Sequence, residues 1–213
     1  EHLKLTAEFS VHTAKENSMF NVVSTCSYGN TVDLDKANTI WTEYENKLKS
    51  ESTSADDIQM QKKNFYLLDA QRHFVDNSFD YCIQSVGVYK NQQIVKMGCK
   101  IIVDKLSEMM IAIDSDIVPI RPSETTMENS YDIVLENEDY TLGKLLEYIL
   151  YNKYYESEEI LSFCGFKKFH PHDDESIIRI AYSKPNDKNM VRTHLNTACS
   201  LAKEIYEKMG KMF

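Results

Sequence analysis

The stretch DYTLGKLLEYIL, residues 139–150, decides the predicted fold of the second half of the chain. Its apolar residues are spaced i, i+3, i+4, i+7 and i+8, as on one face of an amphipathic helix. Asp139 and Thr141 can each accept a hydrogen bond from the first free N–H groups, so both are candidate helix caps. The stretch therefore predicts a helix whose apolar face is formed by Leu142, Leu145, Leu146, Ile149 and Leu150.

Strand-like segments surround this helix, and a second helix ends the chain. Residues 131–136, 160–166 and 176–183 are predicted to be strands. In the last helix, predicted over residues 189–212, apolar residues recur at alternating intervals of four and three, which is a heptad pattern. The residues in this pattern are Val191, Leu195, Ala198, Ala202, Ile205, Met209 and Met212. The order is β-α-β-β-α, and because a unit of about 80 residues is marginally stable alone, we expect its helices to pack against a partner module.

The first half of the chain also mixes strands and helices. Its predicted strands are residues 3–9, residues 22–28 before a turn at Gly29-Asn30, and residues 65–74 and 79–88 on either side of a turn at residues 76–78. A mobile polar loop is predicted at residues 50–57. A helix over residues 91–110 ends this half. The connector at residues 111–130 contains turn-forming residues, including Pro119, Pro122, Thr125 and Thr126. We predict an α+β protein with modules at residues 1–110 and 131–213 joined by this linker.

The overall composition excludes several classes of protein. The chain of 213 residues has a net charge of −9, so its surface repels phosphate groups and direct nucleic-acid binding is not expected. No run of about 18 apolar residues is present, so no membrane span is expected. Five scattered cysteines without a C-x-x-C pair argue against a disulfide framework and a zinc site, and we expect most of them to be small buried residues.

The most metal-like cluster is the sequence His170-Pro171-His172-Asp173-Asp174. Two imidazoles and two carboxylates could bind zinc or a non-haem metal. Metal sites usually take ligands from separate elements, however, and Pro171 with the acidic pair is typical of a turn between strands. The turn is the favoured interpretation. A metal-dependent enzyme that uses His170, His172 and Asp173 remains an alternative.

Other candidate sites in the sequence are weaker. The sequence Asp114-Ser115-Asp116 lacks a glycine turn and a third acidic ligand, and the six isolated glycines form no phosphate-binding motif. Trp41 and Tyr44 could stack on bases, but Glu43 and Glu45 oppose nucleic acid, and a packing role is favoured. The sequence has no motif of a nucleophile with its histidine and no cluster of aspartates for two metals. We predict no catalytic residue, no metal and no cofactor.

Residues 131–213 resemble the small α-like subunit of multisubunit DNA-dependent RNA polymerases, which is the archaeal L subunit and its eukaryotic counterparts. The sequence EDYTLGKLL at residues 138–146 is similar to the E-D-H-T-L-G-N-L-L signature of that family. The sequence FCGF at residues 163–166, followed by His170 and Pro171, is similar to the F-A-G-Y…H-P segment. Tyr140 and Lys144 depart from the usual His and Asn of the signature.

Residues 1–110 resemble the C-terminal part of the larger α-like partner, without its first dimerisation helix. That partner is the archaeal D subunit and the third-largest subunit of RNA polymerase II. The sequence KENSMF at residues 15–20 is similar to the K-E-H-A-K-W motif, and residues 79–87 are similar to F-x-F-x-V-E-S-x-G. Fusion of both partners in one chain resembles the polymerase of large nucleocytoplasmic DNA viruses.

The resemblance implies that the two modules form an intramolecular pseudo-dimer without an active site of its own. Such a chain is a scaffold for the two large catalytic subunits and contacts other polymerase subunits. In this family Gly143 would permit the close approach of a partner helix. The implied module interface is Thr141, Leu142, Gly143, Leu145, Leu146, Ile149, Phe163, Gly165, Val191, Leu195, Ala198, Ala202 and Ile205. The matching family-motif residues are Lys15, Glu16, Phe79, Gly87, Glu138, Asp139, His170 and Pro171.

The implied location depends on the source of the chain. A viral polymerase subunit is expected in the virion and in the viral factory of the host cytoplasm, and a cellular eukaryotic one in the nucleus. The alternative function is a homodimeric interaction or regulatory protein that uses the same fold. Recovery of large polymerase subunits in a pull-down distinguishes the two functions.

Overall fold

A computed structural model describes residues 2–123 and 127–213 and has a mixed α+β fold with two sheets. The chain divides into two compact units, Glu1–Asn91 and Gln92–Phe213. The helix that was predicted to end the first module therefore belongs almost entirely to the second unit. Three residues of the predicted linker, Glu124, Thr125 and Thr126, lie outside the described residues.

The first unit is a two-stranded ribbon with two helices and a small core. Its strands and helices are β1 (Val23–Val32), α1 (Leu34–Ser50), α2 (Ala55–Leu67) and β2 (Phe74–Ser85). β1 and β2 pair antiparallel, with Cys26 opposite Ile83 and Tyr28 opposite Tyr81. Trp41 is buried between the two helices in a core that also contains Ala37, Leu48, Phe65 and Ala70. The packing role of Trp41 is therefore confirmed.

Several sequence predictions in the first unit are wrong. Residues 65–74 were predicted to be a strand but contain the end of α2 and a short 3-10 turn at Asp69–Arg72, because Phe65 is needed in the core beside Trp41, at 5.5 Å between ring centroids. The predicted loop at residues 50–57 contains the start of α2, where Ser54 Oγ accepts a hydrogen bond from the Asp57 N–H at 3.2 Å. The alternating residues 3–9 are exposed and form no strand.

The predicted turns of the first unit also fall inside strands. Gly29 and Asn30 lie within β1, and residues 76–78 lie within β2. The reason is topological. β1 and β2 are joined through the two helices and not by a tight hairpin, so Gly29 and Asn30 stay in the ladder. Residues 76–78 fall in the register irregularity between the pairs Asn30–Phe79 and Val32–Phe74.

The second unit contains three helices and a four-stranded antiparallel sheet in the order β3-β4-β6-β5. Its elements are α3 (Asn91–Asp114), β3 (Ile120–Pro122), β4 (Ser130–Glu136), α4 (Tyr140–Leu150), β5 (Leu161–Lys167), β6 (Glu175–Tyr182) and α5 (Lys188–Gly210). A π-helical turn, Tyr151–Ser157, extends α4. The predicted order β-α-β-β-α is confirmed. β3 was missed, since it has only three residues and ends in a proline inside the predicted linker.

The helices of the second unit cover one face of the sheet and form its core. Alternate residues of β6, Ile178, Ile180 and Tyr182, face this core together with Ile133 and Leu135 of β4. Burial of each such aliphatic side chain contributes about 1.5–3 kcal/mol. The helices supply the opposite side of the core through Leu106, Ile113, Leu142, Leu146, Leu150, Leu195 and Ala198.

Candidate interaction surface

The start of α4 is held by a network of hydrogen bonds. The Asp139 carboxylate accepts a hydrogen bond from the Thr141 N–H at 3.1 Å, and this bond is the main reason that the pKa of Asp139 is lowered. Next to it, Lys105 Nζ lies 2.6 Å from Glu138 Oε1, and the Ser176 hydroxyl donates to the Glu138 carbonyl at 2.8 Å. The motif residues Glu138 and Asp139 therefore fix where α4 leaves the sheet.

Gly143 lies against an aromatic ring of the neighbouring strand. An ideal Cβ at this position would be 2.6 Å from Cζ of Phe166 and closer still to two other ring carbons. The sequence resemblance implies close approach of a partner helix at Gly143, but among the described residues the approach is made by Phe166 of β5. Gly165 is similar, since a Cβ there would lie 2.9 Å from the Phe163 ring.

Most of the expected module-interface residues are buried inside the second unit. The helix positions of this set with at most 7% exposure are Leu142, Leu146, Ile149, Val191, Leu195, Ala198 and Ala202. Leu145 is half-buried, Thr141 is exposed, Phe163 is 37% exposed and Ile205 is 52% exposed. The heptad pattern of α5 therefore packs within its own unit up to Ala202, and Ile205 points outside it.

α3 and α5 pack antiparallel to each other. Near the end of α3, Asn196 Nδ2 donates to Asp114 Oδ1 at 2.7 Å. One turn away, the Ser200 hydroxyl lies 3.9 Å from Met110 Sδ. At the other end, a Cβ on Gly210 would lie 3.5 Å from the Cβ of Cys99. The two helices thus touch near Asp114, near Met110 and near Cys99.

An open groove lies on the outer side of α4 and α5, and we call it the α4–α5 groove. It has a volume of about 500 Å³ and is lined by Tyr148, Ile149, Asn152, Lys153, Ser157, Leu201, Glu204, Ile205 and Lys208. Tyr148 is 66% exposed although it is aromatic. The sequence analysis singled out Ile149 and Ile205 but missed Tyr148 and Leu201. Tyr148 and Leu201 are each next to buried positions on their helices, so apolar periodicity alone does not distinguish groove residues from core residues.

The family-motif residues of the first unit lie at separate places. The Glu16 carboxylate accepts a hydrogen bond from the Thr13 N–H at 2.7 Å, and this bond lowers the pKa of Glu16. Phe79 lies on β2 with its ring 6.0 Å from that of Tyr28. Gly87 has a φ of 104°, which only glycine adopts easily. Lys15 is exposed. The structure does not bring these four residues into one site.

His170 and Pro171 lie in the connection between β5 and β6. The Asp173 N–H donates to the His170 carbonyl at 3.0 Å, and the rings of His170 and His172 stack at 5.1 Å. This arrangement confirms the predicted turn. Within residues 2–123 and 127–213, no group of three or more His, Cys, Asp or Glu side chains is arranged to hold a metal ion.

The cysteines are less uniformly buried than the sequence analysis expected. Cys99 and Cys199 are buried, Cys164 is half-buried, and Cys26 and Cys82 are exposed. Burial raises the pKa of both Cys164 and Cys199 to about 12, so these two thiols stay protonated near neutral pH. The expectation of mostly buried cysteines therefore fails for the two residues of the ribbon.

A buried histidine connects α5 to the π-helical turn. His194 is 6% exposed, its Nδ1 lies 3.0 Å from the Tyr182 hydroxyl, and its ring stacks on Tyr154 at 4.0 Å. Burial lowers the pKa of His194, with Lys153 acting in the same direction and Glu158 opposing it. No sequence pattern indicated this cluster beyond the presence of a histidine within the predicted helix.

Because the pKa of His194 is lower in the folded chain, acid should destabilise the second unit. Below the unfolded pKa of about 6.5 the unfolded state binds a proton that the folded state does not. The free energy of unfolding therefore decreases as the pH is lowered, by at most about 1.4 kcal/mol per pH unit. Urea unfolding at pH 7.5 and 5.5 measures this loss. His194→Phe is expected to reduce the pH dependence, and an unchanged pH dependence in that variant would exclude His194 as its source.

Comparison of the sequence with models of protein families and with curated proteins finds no match. Among the described residues, no helix is long and apolar enough to cross a membrane.

Proposed function

We propose that the chain is a non-catalytic assembly subunit of a multisubunit DNA-dependent RNA polymerase, built from two α-like modules. The observation that carries the proposal is the antiparallel packing of α3 along α5. Most of α3 belongs to the stretch that resembles the larger partner, and α5 belongs to the stretch that resembles the smaller one, so helices of the two resembling stretches lie against each other. The resemblance implies an intramolecular pairing of the two modules, and the contact between α3 and α5 supports that pairing.

The α4–α5 groove is the proposed binding site for a further helix. We expect the helices of the second module to bury their remaining apolar faces against a partner module, and the resemblance to the larger partner does not include its first dimerisation helix. The groove has apolar side chains at Tyr148, Leu201 and Ile205, with Lys153, Glu204 and Lys208 around them. An amphipathic helix that places its apolar face in this groove would bury Tyr148 and Ile205.

The proposed role is that of a platform for the two large catalytic subunits. The net charge of −9 suits contact with basic faces of those subunits. A scaffold requires buried surfaces and not a reactive centre. The residues of the second unit that resemble the family signature accordingly cap, anchor and pack helices in this structure.

A substitution in the groove tests the role of this surface. Ile205→Asp places a charge where a partner helix would bury an apolar side chain, so we expect roughly tenfold or greater loss of the large subunits recovered with the full-length protein. Ile205 is 52% exposed, so the substitution should leave the unit folded. Affinity purification followed by mass spectrometry measures the recovery.

Ile111→Asp is the matched control, because Ile111 is also an exposed helix position, at 66%. It should retain recovery close to that of the wild-type chain. Equal recovery with both variants would exclude the groove as an assembly surface. Recovery of wild-type protein only with further copies of itself would favour the homodimeric regulator instead.

A further inference from the structure

A second cavity of the second unit lies between α3, the segment before β3, and the junction of β4 with α4. Its volume is about 230 Å³. The wall includes Val134 and Leu142, which are both 3% exposed, and the half-buried Met109 and Ala112. The interior is therefore apolar, and we call the cavity the α3–β4 pocket.

The size of the α3–β4 pocket limits what can occupy it. Sites for cofactors and drug-sized ligands usually measure about 300–1,000 Å³. The α3–β4 pocket is smaller than this range, so it suits a single extended side chain better than a nucleotide. Ile117 on its rim is 69% exposed and would give the backbone beside such a side chain an apolar surface to contact.

The rim of the α3–β4 pocket is acidic. Three glutamates, Glu108, Glu136 and Glu138, line it, and Lys105 is the one lysine or arginine among its described lining residues. Lys105 is paired with Glu138 at 2.6 Å, while Glu108 and Glu136 have no ion pair within the described parts of the chain. The rim therefore keeps an excess of negative charge.

The strand pairing adds a further carboxylate beside this rim. Glu136 of β4 is directly opposite Glu175 of β6 in the antiparallel register. Like charges at directly opposed positions destabilise a sheet. A cation bound at the rim would offset this repulsion, whereas an anion would increase it.

We propose that the α3–β4 pocket binds one basic side chain, an arginine or a lysine, of a partner polypeptide. The methylene groups of that side chain pack on Met109, Val134 and Leu142, and its charged end meets the carboxylates of Glu108 and Glu136. The inference stands on the cavity and its charge, and it does not require the partner to be a polymerase subunit.

Binding of a capped tripeptide, acetyl-Ala-Arg-Ala-amide, to the full chain tests the proposal. The measurement is the shift of methyl resonances of Met109, Val134, Leu142 and Ile117 in NMR spectra at low salt. We expect saturable shifts at millimolar peptide that are confined to these methyl groups. The same peptide with citrulline, a neutral isostere of arginine, should bind roughly two- to fivefold more weakly or not at all.

Matched variants distinguish the contribution of the acidic rim to peptide binding from the contribution of the cavity. Glu108→Gln and Glu136→Gln should each weaken binding of the arginine peptide about two- to fivefold. Glu207→Gln, at an exposed position of α5, is the control and should leave binding unchanged. Ala112→Phe should block the pocket. Should that variant fail to fold, the two glutamine variants still decide the question.

Three outcomes would overturn the proposal. The first is the absence of localised shifts with the arginine peptide. The second is equal binding of the citrulline peptide, which would remove the role of charge. The third is tighter binding of free putrescine than of the arginine peptide, which would indicate a site for small diamines and not for a polypeptide.

Discussion

Leu146→Ala is expected to lower the free energy of unfolding by about 2–5 kcal/mol. Leu146 is fully buried, at 0% exposure, in the core that α4 shares with α5 and the sheet. Removal of its branched end loses apolar burial and leaves a cavity in this core, which also contains Leu142, Leu195 and Ile178 and cannot fully collapse to fill it. Urea denaturation followed by circular dichroism measures the loss.

Leu67→Ala is the control for this substitution. Leu67 ends α2 and is 72% exposed, so the same chemical change should alter stability by less than about 0.5 kcal/mol. A loss smaller than about 1 kcal/mol for Leu146→Ala would mean that α4 does not pack in the core as described.

Gly143→Ala is expected to cost about 1–3 kcal/mol, because the new methyl group would overlap the ring of Phe166. In a helix interior alanine normally stabilises the helix relative to glycine. A loss of stability on this substitution would therefore be opposite to the effect expected from helix propensity. Gly98→Ala is the matched control. Gly98 lies inside α3, and a Cβ there meets nothing within 4 Å, so we expect no loss or a gain of about 0.5–1 kcal/mol.

A double-mutant cycle identifies Phe166 as the cause of the cost. In a Phe166→Leu background, the smaller side chain should leave room for the methyl group, and Gly143→Ala should cost clearly less than in the wild type. Equal costs in the two backgrounds would mean that the close contact lies elsewhere. The unfolding free energies of the four chains supply this comparison.

Sequence periodicity predicted the elements of the second unit because each buries one continuous face. The stripe that contains Leu142 and Leu146 became α4, and the heptad residues from Val191 to Ala202 became the buried side of α5. The first unit was harder to predict. Among the described residues of this unit, the core contains five buried apolar residues, and the placement of Phe65 beside Trp41 overrode the strand propensity of its segment.

The candidate surface was only partly predictable for a related reason. Spacing identifies an apolar face but does not say whether the same unit or a partner covers it. Ile205 continues the heptad of α5 yet is half exposed, whereas Ala202 is fully buried one turn earlier. Likewise, the glycine at position 143 indicated close approach, but only the folded strand shows that Phe166 makes it.

Affinity purification of the full-length protein from its native host or infected cells, with mass spectrometry of the proteins recovered, tests the central claim most directly. The account predicts two very large polymerase subunits in amounts close to equimolar with the chain. Recovery of the chain alone, or only with copies of itself, would contradict the proposed assembly role.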